Sequence, residues 1–264
     1  DDAQEDATLA AIAGTRRADG VTIAGRTAVL PVFGMIAQRV GMMEQASGGI
    51  STEQIGATLD GLVRDQDVKT IVMAYDSPGG SVFGVDELAS KIRAARDSKR
   101  IIAISDSMAA SAAYWLASQA SELYVTPGGQ VGSVGVFAAH RDTSEKDKVD
   151  GVKTTYVTAG KYKTEGAPEQ PLTDEATAEM QSKVDAYHQM FVAAIAKGRG
   201  VSAGKVRSDF GEGRMVMAAD AVSRGMADRV MTLEQLLIKL GAADEGARAR
   251  GQAAARAHAV SLDD

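Results

Sequence analysis

Apolar and polar positions change their spacing several times along the chain, and each change marks an element. Thr27 to Ile36 (TAVLPVFGMI) is nearly unbroken apolar sequence, the pattern of a buried strand, with Pro31 pointing to an edge or a bulge. A loop containing Gly41-Met42-Met43 and Ser47-Gly48-Gly49 follows. Ser51-Thr52-Glu53-Gln54 then has the form of a capping box, and Ile55, Leu59, Leu62 and Val63 recur on one helical face to about Arg64. Val68 to Tyr75 (VKTIVMAY) reads as a central strand running into the turn Asp76-Ser77-Pro78-Gly79-Gly80-Ser81. Val85, Leu88, Ala89 and Ile92 mark another amphipathic helix, Arg100 to Ile104 a strand, and Ala109 to Ala120 a helix. Strand and helix alternate, which predicts an α/β fold built of βαβ units.

The second half is less regular. Glu122 to Val125 and Val131 to Phe137 read as short strands split by Pro127-Gly128-Gly129, Asp142 to Val149 as a charged surface helix, and Val152 to Val157 as a further strand. Gly160 to Pro168 is a polar loop. From about Thr173 to Lys197, Met180, Val184, Tyr187, Phe191 and Ile195 fall three or four residues apart, the buried stripe of a long helix. Short helices near Ser202 to Asp209 and Ala218 to Arg224, a strand at Arg214 to Met217, and a last helix from Thr232 to Leu240 complete the domain. Residues 1 to 26 lack sustained periodicity and read as an N-terminal arm; residues 241 to 264, rich in Ala, Gly and Arg, read as a flexible tail or the start of a linker. The expected organisation is one domain over 27 to 240 between two arms.

Composition narrows the function. The charge, 29 basic against 35 acidic residues, gives −6 with no basic cluster, which argues against a nucleic-acid partner. With no cysteine and only His140, His188 and His258 for imidazole, neither a thiol nucleophile nor a zinc site is expected, and no metal or cofactor is implied. The longest uncharged run, Leu123 to His140, is broken by Pro127 and four glycines, so no membrane segment is expected. The acidic start, Asp1-Asp2-Ala3-Gln4-Glu5-Asp6, carries no secretion signal and reads as the start of a fragment or a processed form.

The stretch Asp106 to Trp115 (DSMAASAAYW) concentrates the chemistry, because it sets small residues around one serine, Ser111, just after a strand-like run. A strand feeding a helix lifts such a side chain into a cleft and aims backbone N–H groups at an anion formed there. The plainer alternative is a buried alanine-rich helix whose serine bonds its own backbone. A serine nucleophile also needs a base. His140 follows a glycine-rich strand but nothing else singles it out, whereas Lys163 sits in a distinctive loop, GKYKTEGAP. An unperturbed lysine is almost fully protonated at neutral pH, so a lysine base is expected to be screened from solvent with no carboxylate at its amine.

The strings DSPGGSV (76 to 82), SMAASAAYW (107 to 115), GSVGV (132 to 136), GKYKTEGAP (160 to 168) and GRGVS (198 to 202), in this order, resemble the signal peptide peptidase A family of serine proteases, over about residues 27 to 240. The resemblance implies a Clp/crotonase-like fold of stacked ββα units with flanking helices, and a Ser-Lys dyad. Ser111 would be the nucleophile, Lys163 the general base and Ser133 the hydroxyl that orients the lysine. The N–H groups of Gly79 or Gly80 and of Ala112 would form the oxyanion hole, while Lys161 matches no catalytic position. In that family subunits form rings or domes in which neighbouring chains complete the sites, so a homo-oligomer acting on protein substrates is expected. The loop 38 to 52 (QRVGMMEQASGGIST), the FAAH string at 137 to 140 and GEGRMVMAADAVSRGMADRV (211 to 230) look like the phage and prophage branch, which cleaves scaffold and capsid proteins inside the assembling head within the host cytoplasm. The competing readings are a soluble signal peptide peptidase in the bacterial cytoplasm or at the envelope, a crotonase-type acyl-CoA enzyme, and a structural head component with a dead site. That last reading would require one of the Ser111–Lys163 pair to be missing, and neither is.

Overall fold

A computed structural model describes residues 15–41 and 48–241. Its central sheet grows outward from β6 (Thr70–Ser77) and β7 (Arg100–Ala110), buried over Ile71–Tyr75 and Ile101–Ser105, which pair in parallel from Thr70↔Arg100 to Tyr75↔Ser105. On one side β3 (Thr27–Phe33) runs parallel to β6, and beyond it β2 (Thr22–Ala24) and β1 (Thr15–Arg16) are antiparallel. On the other side β7 pairs in parallel with β8 (Glu122–Val125), and β8 with β11 (Arg229–Val230). Two further strands, β4 (Met35–Ala37) and β5 (Gly49–Ser51), form a small parallel sheet.

Residues 15–24, inside the stretch read from sequence as an arm, therefore belong to the sheet, which starts before Thr27. Thr15 to Asp19 are exposed, Val21 alone is fully buried and Thr22 to Ala24 are half-buried, so the periodicity is too weak to announce strands. β3 is an interior strand, yet β2 reaches only to Val29, so Pro31 lies past the last β2 partner and its missing N–H costs no ladder bond. The tail after 241 and part of the 38–52 loop lie outside the described residues.

Helices connect and cover these strands. Helix α1 (Thr52–Arg64) begins where expected: Ser51 is the N-cap, its Oγ accepting from the N–H groups of Glu53 (3.1 Å) and Gln54 (3.3 Å). It buries Ile55, Leu59 and Leu62, each contributing roughly 1.5–3 kcal/mol by leaving water. Helix α2 (Val85–Ala95) buries Val85, Leu88, Ala89 and Ile92. After the short helices α3 (Ala112–Ala117) and α4 (Ser144–Val149) come α5 (Asp174–Arg199), α6 (Ala203–Asp209) and α7 (Ala218–Arg224). The last described helix, α8 (233–241), sets Leu236 and Leu240 on Val72, Ala74, Ile102, Ile104 and Tyr124, one face of β6, β7 and β8.

The described chain divides into two compact units, residues up to Val134 with those from Phe191 onward, and Gly135–Met190. In the second unit Ala176 is the single apolar side chain that is buried. That is why the expected strands fail there: Val152 to Val157 is irregular and exposed, and the strand expected to reach Phe137 ends at Gly132 as β9 (Gln130–Gly132). On α5 the stripe is half-buried at Met180, Val184 and Tyr187, and buried only from Phe191.

Candidate active site

Strand β7 is longer than its apolar core implies, because it continues through polar Asp106 and Ser107 to Ala110 and delivers Ser111 directly. Tyr75 pairs with Ser105 but Ser77 with Ala109, so β7 carries two extra residues there and bends. Ser107 donates to the Asp76 carboxylate and Thr126 to the Asp106 carbonyl, bracing the bend. Past it, Met108 to Ala110 pair with β9, whose other side pairs antiparallel with β10 (Met215–Met217).

Ser111 is the N-cap of α3 with φ 51° and ψ −121°, a conformation that a residue with a Cβ adopts only under constraint. Its N–H donates to the Gly132 carbonyl (2.8 Å) and its carbonyl accepts the Trp115 N–H (2.9 Å). Three anchors in α3 hold the turn: the Tyr114 hydroxyl donates to the Met226 carbonyl (3.0 Å), Trp115 stacks on Phe191 at 4.7 Å, and all six helical residues are buried. Just past α3, the buried Gln119 amide donates to the Trp115 (3.0 Å) and Ala194 (3.1 Å) carbonyls. The serine thus keeps its backbone geometry through tertiary packing, contrary to the plain buried-helix alternative.

The turn Ser77 to Ser81 packs against this elbow. A Cβ on Gly79 would meet Ser111 Cβ and Ala110 O at 2.7 Å, and one on Gly80 would meet Ile36 O at 1.9 Å, so both positions need glycine. The Gly79 N–H is committed to Ser77 Oγ (3.1 Å), and the buried Ser77 hydroxyl itself donates to the Gly34 carbonyl (2.6 Å). Ile36 bridges Gly80 through its N–H to Gly79 O (2.8 Å) and its carbonyl from the Ser81 N–H (2.9 Å), which turns the Gly80 N–H to the opposite side of the strand. Ala112, as the first residue of α3, has no carbonyl one turn earlier to take its N–H.

Ser133 directly follows the residue whose carbonyl holds Ser111, and it too has positive φ, 52°. Its N–H donates to the Arg214 carbonyl (3.0 Å), and a Cβ on the preceding Gly132 would come within 2.9 Å of the same oxygen. Ser111, Gly132 and Ser133 are therefore one backbone assembly. Sequence reasoning missed Ser77 and Gln119, since a serine before proline and a glutamine in an alanine run carry no signal of their own.

Lys163 lies in the second unit. Its backbone N–H donates to the Gly160 carbonyl (3.3 Å), but its side chain is exposed, against the expectation of a screened lysine, and the ammonium makes no hydrogen bond or ion pair with the described residues. Its neighbour Lys161 is tied up instead, with Nζ on the Tyr162 hydroxyl (2.9 Å) and the Glu175 carboxylate (2.9 Å), which together raise the lysine, while Lys161 and the Tyr162 hydroxyl lower the acid. His140 Nε2 lies 3.3 Å from the Gln170 carbonyl. Among the described residues no cluster of His, Cys, Asp and Glu is set to hold a metal, and no helix is long and apolar enough to cross a membrane.

Comparison with known proteins agrees with this assembly of motifs. The model of peptidase family S49 matches residues 93–246. Capsid assembly protease C of Escherichia phage lambda is 32% identical over 218 residues, 83% of this chain and 49% of that protein. Head-tail preconnector protein GP5 of Enterobacteria phage P21 is 31% identical over 218 residues, 83% of this chain and 43% of that protein. A chloroplastic serine protease SPPA of Arabidopsis thaliana is 26% identical over 211 residues, 80% of this chain and 31% of that protein. The chain thus spans about half the length, or less, of these relatives.

Proposed function

The chain belongs to peptidase family S49, and from that premise we propose that it is a serine endopeptidase working through Ser111 and Lys163, which matures phage heads by cleaving scaffold or capsid proteins. The observation that carries this reading is the elbow at Ser111, a strained serine fixed by Gly132 and backed by Gly79. The phage role rests on the names of the two phage relatives, and with it goes a site of action inside the assembling head in the host cytoplasm. The parallel run β3-β6-β7-β8 with its connecting helices favours the Clp/crotonase-like arrangement of ββα units.

In the proposed reaction Ser111 Oγ attacks the scissile carbonyl carbon while its proton passes to the neutral Lys163 amine. The carbonyl oxygen becomes an oxyanion facing the N–H groups of Ala112 and Gly80, since the Gly79 N–H is already committed to Ser77. Collapse of the tetrahedral species breaks the C–N bond, and the lysine ammonium returns the proton to the leaving amine. Water, deprotonated by the same amine, then splits the acyl-serine to a free carboxylate. Ser133, beside Ser111 in the backbone assembly, serves to orient the lysine.

Lys163 is exposed, and the same unit exposes Phe137, Val149 and Val157 almost completely. A homo-oligomer whose contacts cover these exposed side chains and the lysine would supply the shielding that a lysine base requires. The test is co-expression with the head proteins of the source phage. The wild type is expected to trim the scaffold and Ser111→Ala to leave it whole; cleavage by the alanine variant would overturn the reading.

A further inference from the structure

The loop that carries Lys163 has almost no buried surface to hold it, yet the residues on either side of the lysine are both pinned. On the C-terminal side, the Gln170 side-chain amide donates to the Thr164 carbonyl (2.9 Å). On the N-terminal side, Lys161 Nζ (2.9 Å) and the Tyr162 hydroxyl (2.7 Å) converge on one oxygen, Oε1 of Glu175, in the first turn of α5. The Lys161 ammonium also donates to the Tyr162 hydroxyl (2.9 Å) and lies 4.6 Å from the centre of that ring, closing a three-membered cluster. The next acid along α5, Glu179, pairs with Lys183 (3.0 Å). Of the loop's two lysines, one is held by a carboxylate and the other is left without a partner among the described residues.

We propose that Glu175 is a positioning residue for Lys163: by gripping Lys161 and Tyr162 together, it ties the loop segment from which the base projects to the first turn of α5. This rests on the reading of Lys163 as the base. A lysine on a free loop searches many positions, and proton transfer requires its amine within hydrogen-bond reach of the serine hydroxyl. Glu175 is half-exposed, at 57% of its side chain, so it adds little to global stability. Its effect falls on rate, because a misplacement of about 1 Å in a catalytic group costs up to about a hundredfold. It gives Lys161, which matches no catalytic position, a reason to precede the base.

The test uses a fluorophosphonate probe, whose phosphorus forms a bond to Ser111 Oγ as fluoride leaves and the base takes the hydroxyl proton. Phosphonylation rate constant and half-saturating probe concentration are measured separately for the wild type, Glu175→Ala, Glu175→Gln, Lys161→Met and Lys163→Ala, beside melting temperature and sedimentation. Glu175→Ala is expected to lose about tenfold in the rate constant with unchanged half-saturation, unchanged assembly and a melting temperature within about 2 °C. Glu175→Gln keeps an acceptor oxygen and should recover part of the loss; Lys161→Met should fall between the two. A Glu175→Ala protein phosphonylated at the wild-type rate, while Lys163→Ala is inert, would overturn the positioning role and leave the base reading standing. Loss of assembly or a large fall in melting temperature in Glu175→Ala would also count against it, since the residue would then be structural. Wild-type rates in Lys163→Ala would overturn the base reading, and the positioning role with it.

Discussion

Gly79 lies so close to Ser111 that a methyl group on its Cα would come within 2.7 Å of the serine Cβ and 3.0 Å of the Ala112 nitrogen, at a φ of +93°. Gly79→Ala must therefore push the nucleophile elbow away from the turn that faces it. A loss of about 1–3 kcal/mol in stability is expected from the strained backbone and overpacking. Serine labelling should fall by about a hundredfold, as on removal of an oxyanion-hole donor. Thermal melts and labelling rates check both, and near-normal labelling in the alanine variant would contradict the packing argument.

A second prediction concerns the ion pair that closes α5 on the sheet. The Arg199 side chain, only 7% exposed, donates to both oxygens of Asp228 (2.8 and 3.0 Å), which also accepts the Leu123 N–H (2.7 Å). Burial alone would raise this carboxyl, but Arg199 and the Leu123 N–H outweigh it and hold it below its ordinary value. Because the folded value is the lower, the unfolded chain takes up the proton first. The stabilisation is thus complete above the unfolded value of about 4 and is lost as pH falls through the folded one. Asp228→Asn should cost about 2 kcal/mol at pH 7, and its deficit against wild type should shrink below about pH 4 in denaturant titrations. A deficit independent of pH would show that packing, not charge, is what the substitution removes.

Much of this was legible in the chain, and what was hidden has a physical pattern. Ser51 announced α1, and Val85, Leu88, Ala89 and Ile92 announced α2, because capping and amphipathic spacing are local signals. The small residues around Ser111 and the glycines at 79 and 80 stood out in the chain, but that a Cβ on Gly79 would meet Ser111 and one on Gly80 would meet Ile36 is tertiary information the chain does not carry. Ala109 and Ala110 were expected in a helix but belong to β7, since pairing with Val131 and Gly132 overrides alanine's helical preference. The strand expected at Val152 to Val157 finds no pairing partner among the described residues, and alternation alone does not supply one. The exposure of Lys163 could not be read from the chain, because burial of a loop residue depends on what packs over it.

Those exposed side chains give the third prediction. Phe137 is 89% and Val157 96% accessible in a unit that buries almost no apolar side chain of its own. The wild type should sediment as a homo-oligomer, and Phe137→Glu or Val157→Glu should shift it to smaller species and suppress serine labelling together. A fully active monomer would refute the idea that neighbouring copies shield the lysine.

The central claim is that Ser111 is a nucleophile deprotonated by Lys163, and intact-mass analysis after exposure to a fluorophosphonate tests it most directly. The wild type should gain the mass of a single adduct, without any dependence on coenzyme A, while Ser111→Ala gains none. Lys163→Arg should gain none on the same timescale, because a guanidinium stays protonated and cannot accept the serine proton. An adduct on Ser111→Ala, an unmodified wild type, or a Lys163→Arg protein labelled as fast as wild type would contradict the account.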